Sequence, residues 1–121
     1  MALAFAAVPV SWALSDNALT PFRAIYDERF EAGRAFATEA AYRGWITRAI
    51  RGDITNVWFR ELSPRWRRSP AAITGVTTAQ TLFVLERLAW DAGMRVTFRD
   101  RVPAAPVVRW VIGLPDKDRH S

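Results

Sequence analysis

Residues 71–99, AAITGVTTAQTLFVLERLAWDAGMRVTFR, run from Ala71 to Arg99 and decide the fold. The apolar run Ala71–Val76 predicts a strand. Leu82, Phe83, Leu85, Leu88, Ala89 and Trp90 then recur at helical spacing. Thr77 stands where an N-cap belongs, accepting from the N–H of Gln80 while the Gln80 side chain reaches back to it. Gly93 suits a left-handed C-terminal cap. Met94, Val96 and Phe98 next alternate with Arg95, Thr97 and Arg99, the period of a strand. The stretch therefore reads strand, helix, strand.

The same reading extends in both directions. Phe22–Tyr26 predicts a strand and Phe30–Tyr42 a helix, in which Gly33 permits close packing on a sheet and after which Gly44 stops the chain. Trp45–Ile50 reads as the second strand. Asp53 is placed to cap a helix whose apolar face is Ile54, Val57, Trp58 and Leu62, with Ser63-Pro64 as its end. Downstream, Val107–Leu114 is the last strand, separated from its predecessor by residues 99–106, too few for a helical crossover. That pair is expected to be antiparallel. Alternating strands and helices imply a three-layer, doubly wound α/β fold with a mostly parallel sheet of about five strands, in the order 2-1-3-4-5. One domain spans residues 21–114, between an apolar leader and linker (1–20) and a polar tail (115–121).

A chain of 121 residues, half of them hydrophobic and 24% charged, has the composition of one globular domain. The formal net charge is +5, and Lys117 is the single lysine among 17 basic residues. Arginine recognises carboxylate and phosphate bidentately, although a codon bias toward GC-rich triplets produces the same excess. With no cysteine there is no disulfide, thiol nucleophile or thiolate metal site. The first fourteen residues, MALAFAAVPVSWAL, are uncharged. They are too short to span a bilayer as a helix, and they match the apolar region of a secretory signal without its positive start. The alternative is an extra element covering a sheet face.

Residues 71–99, together with Arg48–Pro70 (RAIRGDITNVWFRELSPRWRRSP), resemble a group of small uncharacterised bacterial exported proteins with twin-arginine-type signals. The likeness covers about Ala24 to Arg99. It implies export in a folded state, to the periplasm or beyond. No paired arginines precede the apolar leader, and the alternative location is the cytoplasm. The group brings no catalytic residues.

In a sheet of this kind ligands bind beyond the carboxyl ends of the strands. Those ends carry Asp27 and Arg29, Arg51 and Asp53, Gly75, Val76, Thr77 and Thr78, and Arg99. Gly75 lets a ligand approach the backbone, and the helix that follows offers unpaired N–H groups to an anion. The plainer role of Thr77 is a helix cap. Asp27 and Asp53 are candidates for an acid/base pair. Arg65, Trp66, Arg67 and Arg68, between Pro64 and Pro70, form a cationic loop for an acidic partner or a nucleic acid. Acidic residues scattered among the arginines speak against the nucleic acid. His120 is the single histidine, so no Ser-His-Asp triad or histidine metal site can form, and no phosphate-binding or dinucleotide-binding glycine motif calls for a cofactor. The expectation is a non-catalytic exported domain that binds a small anion or serves a larger enzyme. The alternative is a small enzyme using Asp27 and Asp53.

Overall fold

The computed structural model describes residues 20–115. The apolar leader and most of the tail, residues 1–19 and 116–121, lie outside the described residues, and with them the choice between a signal and an extra element.

Five strands form one sheet: β1 (Arg23–Asp27), β2 (Thr47–Ile50), β3 (Ile73–Thr77), β4 (Arg95–Arg101) and β5 (Val108–Gly113). The helices are α1 (Glu31–Tyr42), α2 (residues 55–68) and α3 (Ala79–Asp91). The spatial order is β2-β1-β3-β5-β4. β1 pairs in parallel with β2 and β3, whereas β5 pairs antiparallel with both β3 and β4. The expected antiparallel final pair is present, but the order 2-1-3-4-5 and a mostly parallel sheet are corrected. β5 inserts between β3 and β4. The reason lies in the side chains. Trp110, Val111 and Ile112 on β5 are buried on both faces, as an interior strand requires, while β4 reads RVTFRDR and is largely exposed.

Both sheet faces are covered. Ile25, Ile73, Trp110 and Ile112 pack against Val57, Leu62 and Trp66 of α2 and Leu82, Leu85 and Ala89 of α3. On the other face Ala24, Val76 and Val111 meet Phe36 and Ala40 of α1. Gly33 brings α1 hard against β1, since a Cβ there would overlap the carbonyl oxygen of Asp27. Among the described residues no helix is long and apolar enough to cross a membrane.

Two local expectations are corrected. Proline does not end α2. The chain is α-helical over Thr55–Val57, π-helical over Trp58–Leu62 and α-helical again over Ser63–Arg68. Ser63 donates its N–H to Trp58 O, and this wider turn carries the helix past Pro64, which has no N–H to give. The residues expected in a loop are therefore helical, and Leu62 and Trp66 both reach the core.

The cap of α3 is Thr78, not Thr77. Its hydroxyl accepts from the Thr81 N–H at 3.3 Å. Thr77 is fully buried and its hydroxyl accepts from Trp110 Nε1 at 3.0 Å. The two threonines therefore fail differently. Thr78→Ala is expected to cost about 1 kcal/mol, the scale of a lost cap. Thr77→Val strands a buried indole donor and is expected to cost about 2 kcal/mol. Urea denaturation of both variants checks the ranking, and equal losses would return the cap to Thr77.

Candidate ligand and partner sites

β1 leaves the sheet at Asp27, which is fully buried at the foot of α1. Its carboxylate is gripped by Arg29. Oδ1 accepts from the Arg29 backbone N–H at 3.1 Å and from Nε at 2.9 Å, and Oδ2 accepts from Nη2 at 2.7 Å. Burial alone would raise the Asp27 pKa, but hydrogen bonds from Arg29 and the charges of Arg29 and Arg51 outweigh it and hold the carboxyl below its ordinary value. The Arg29 guanidinium also lies against Gly52 in the turn after β2 and 5.2 Å from the Phe30 ring. The pair fastens the exit of β1 to that of β2.

The other expected site residues have partners of their own. Arg51 reaches Glu28 at 3.4 Å on the surface. Asp53 Oδ1 accepts from the Thr55 N–H at 2.9 Å, and hydrogen bonding from Thr55 lowers its pKa. Asp53 thus holds the turn that opens α2, where Ile54 is the N-cap residue, and Asp27 is an ion-pair partner. Gly75, Val76 and Thr77 are buried within β3. A Cβ on Gly75 would overlap the carbonyl oxygen of Ile25 and stand 2.5 Å from Trp110 Cζ2, so this glycine admits an indole, not a ligand. Thr81, beneath the Thr78 cap, donates its hydroxyl to Gly52 O at 2.8 Å. Arg99 is on β4, separated from β1 by β3 and β5, and it pairs with Glu86 at 3.4 Å.

In the basic segment Trp66 is a core residue whose Nε1 donates to Ala71 O at 2.9 Å. Arg67 donates to the Ser63 hydroxyl and Arg65 covers the Phe22 ring, leaving Arg68 exposed. A clamp that the sequence reading missed holds the same helix. Glu61 of α2 pairs with Arg23 of β1 and, at 2.6 Å, with Arg48 of β2. Burial raises its pKa, but the hydrogen bonds of Arg48 and Arg23 prevail and lower it.

A cleft of about 430 Å³ lies between the start of α1 and the β4–β5 connection, lined by Arg29, Phe30, Glu31, Val102 and Pro106 among others. The N-cap of α1 is Phe30, which makes no side-chain cap. Glu31 in the first turn supplies a negative charge to the helix end, as an anion would. Among the described residues no three His, Cys, Asp or Glu side chains gather as a metal site.

Comparison with protein-family models, with curated proteins and with solved structures gives no match. The described surface carries several exposed aromatic side chains, two of them on the outer side of α3. Phe83 is 60% exposed and Trp90 46%. They lie two turns apart on the same helix face, with the Arg87 guanidinium between them, 6.0 Å from the Phe83 ring and 4.9 Å from that of Trp90. Arg95, at the start of β4, adds a second cation 5.9 Å from Trp90. Phe83 and Trp90 share the helical recurrence of Leu82, Leu85, Leu88 and Ala89, but Leu82, Leu85 and Ala89 fill the buried face and leave both aromatic rings outside it.

Proposed function

We propose that this domain acts by binding a partner protein, as an accessory module, through the outer face of α3 and the adjoining strand β4. The observation that carries the reading is the exposed Phe83–Arg87–Trp90 face. Large aromatic side chains and arginine, held out together, are the residue types on which protein interfaces depend. The small-anion reading is less well supported. Asp27, Glu28, Glu31 and Asp53 stand around Arg29 and Arg51 at the carboxyl edge, and both arginines already have carboxylate partners. The catalytic alternative loses its pair, since Asp27 and Asp53 each serve a structural bond. Export in the folded state is part of the proposal and rests on the resemblance over residues 24–99 together with the apolar leader.

A photo-crosslinking residue at position 83 or 90, introduced in the producing cell, is expected to give a discrete adduct. The same residue at Tyr42, 93% exposed on α1, is expected to give none. Adducts at all three positions, or at Tyr42 alone, would overturn the reading. A face kept for binding contributes little to folding, so Phe83→Ser is expected to change stability by less than about 0.5 kcal/mol in thermal unfolding.

A further inference from the structure

We propose that the free edge of β4 accepts an extended acidic segment of the partner as an added strand. This rests on the partner-binding reading and names the partner's chemistry. Among the described residues β4 ends the sheet, with β5 on one side and no strand on the other. It is seven residues long, against four for β2 at the opposite edge. A row of backbone donors and acceptors is therefore open along one side of RVTFRDR, as strand addition requires.

The side chains specify what can be added. Arg99 and Arg101 lie opposite Trp110 and Val108, and so stand on the sheet face that α3 covers. Arg95, before the register shift, approaches Trp90 at the end of α3, and Arg87 continues the cationic surface onto the helix. Of these four arginines only Arg99 has a carboxylate partner among the described residues, Glu86. A second copy of this chain is a poor occupant. Antiparallel pairing of two β4 strands would set Arg95 against Arg101, and parallel pairing in register would set each arginine against itself. An incoming strand with carboxylates at alternate positions meets Arg99 and Arg101 on one side and hydrogen-bonds the free edge along its length.

Charges and a bulge on an edge strand also serve to keep other strands away, and β4 has its register shift between Val96 and Phe98. Arg87 lies beyond what such protection requires, because it is on a helix and has no edge to guard. The experiment separates the two roles. The full chain, isotopically labelled, is titrated at low salt with an eight-residue peptide of alternating glutamate and valine. Amide shifts are expected along residues 95–101 and not along 47–50, with binding weakened at least tenfold by Arg99→Glu combined with Arg101→Glu. The same peptide with alternate amides N-methylated keeps its charge but loses its donors, and is also expected to bind at least tenfold more weakly. An absence of shifts in β4 would assign its arginines to edge protection and overturn the proposal. Equal binding of the methylated peptide, or equal competition by single-stranded DNA, would overturn it in favour of a general polyanion surface. Crosslinks at positions 83 and 90 without peptide binding would sink strand addition and leave the partner-binding reading intact. Failure of both would remove the reading itself.

Discussion

Gly75→Ala is expected to cost at least about 3 kcal/mol, although it adds one methyl group in a strand. Overpacking a filled core usually costs about 1–3 kcal/mol, and more where the obstructing atoms cannot yield. Here they cannot. One obstacle is the backbone carbonyl of Ile25 in the neighbouring strand, and the other is the ring of Trp110, held in place by its bond to the buried Thr77 hydroxyl. Trp110 is the largest fully buried side chain, and it lies across β3 at the one residue with no side chain. Chemical denaturation gives the loss directly. A loss under about 1 kcal/mol would mean that the indole does not rest on Gly75. Gly75→Ala combined with Trp110→Leu is expected to be less destabilised than the sum of the two single variants, because the second change removes part of what the methyl strikes.

Arg29→Ala is expected to be strongly destabilising at neutral pH. Removing the partner leaves the Asp27 carboxylate buried, although the Arg29 side chain is itself 40% exposed and its pairing is partly screened. The pH dependence identifies the cause. In the wild type the folded-state pKa of Asp27 lies below the ordinary 3.8, so its stabilisation is complete above that value and drains away as pH falls through the lower folded value. In the variant burial is opposed only by the backbone N–H at position 29 and the Arg51 charge, so the folded-state pKa moves up from its wild-type value. The stabilisation that the charged carboxyl supplies at neutral pH is then smaller. The gap between variant and wild type is therefore expected to be widest near neutrality and to narrow as pH falls through the two folded-state values, the wild-type one lying below 3.8. A gap that stays constant through that acid range would mean that Arg29 contributes packing and not charge.

The parts of the molecule legible in the sequence are those set by local pattern. Residues 71–99 announce a strand, a helix and a strand, and all three form. The placement of β5 was legible too, but in a comparison between segments. Val107–Leu114 is apolar almost throughout, as an interior strand must be, while RVTFRDR carries three arginines and an aspartate and belongs at an edge. The short connection between them fixes only that they are antiparallel neighbours, which either order satisfies. The site was less legible because its residues are defined by partners distant in sequence. Thr77 and Thr78 are equivalent as caps until Trp110 claims the first. Asp27 and Asp53 look like a pair until Arg29 and the Thr55 N–H engage them separately. Pro64 reads as a helix stop because a π-turn leaves no mark in the periodicity of so short a segment.

The interior position of β5 also bears on the order in which the molecule can be completed during synthesis. β1, β2 and β3 have emerged and can pair while β3 still presents an open edge. β4 follows, but β3 is not its neighbour, and it has nothing in the sheet to join until Val108–Gly113 arrives. A nascent chain halted between residues 102 and 107 would hold the parallel half of the sheet with Val76 and Ile73 uncovered on one side and the arginine-rich strand unattached. Such a species exposes the surfaces that chaperones recognise and aggregates recruit. β5 thus supplies the hydrogen-bonded link between β3 and β4, and completion of the sheet waits on it.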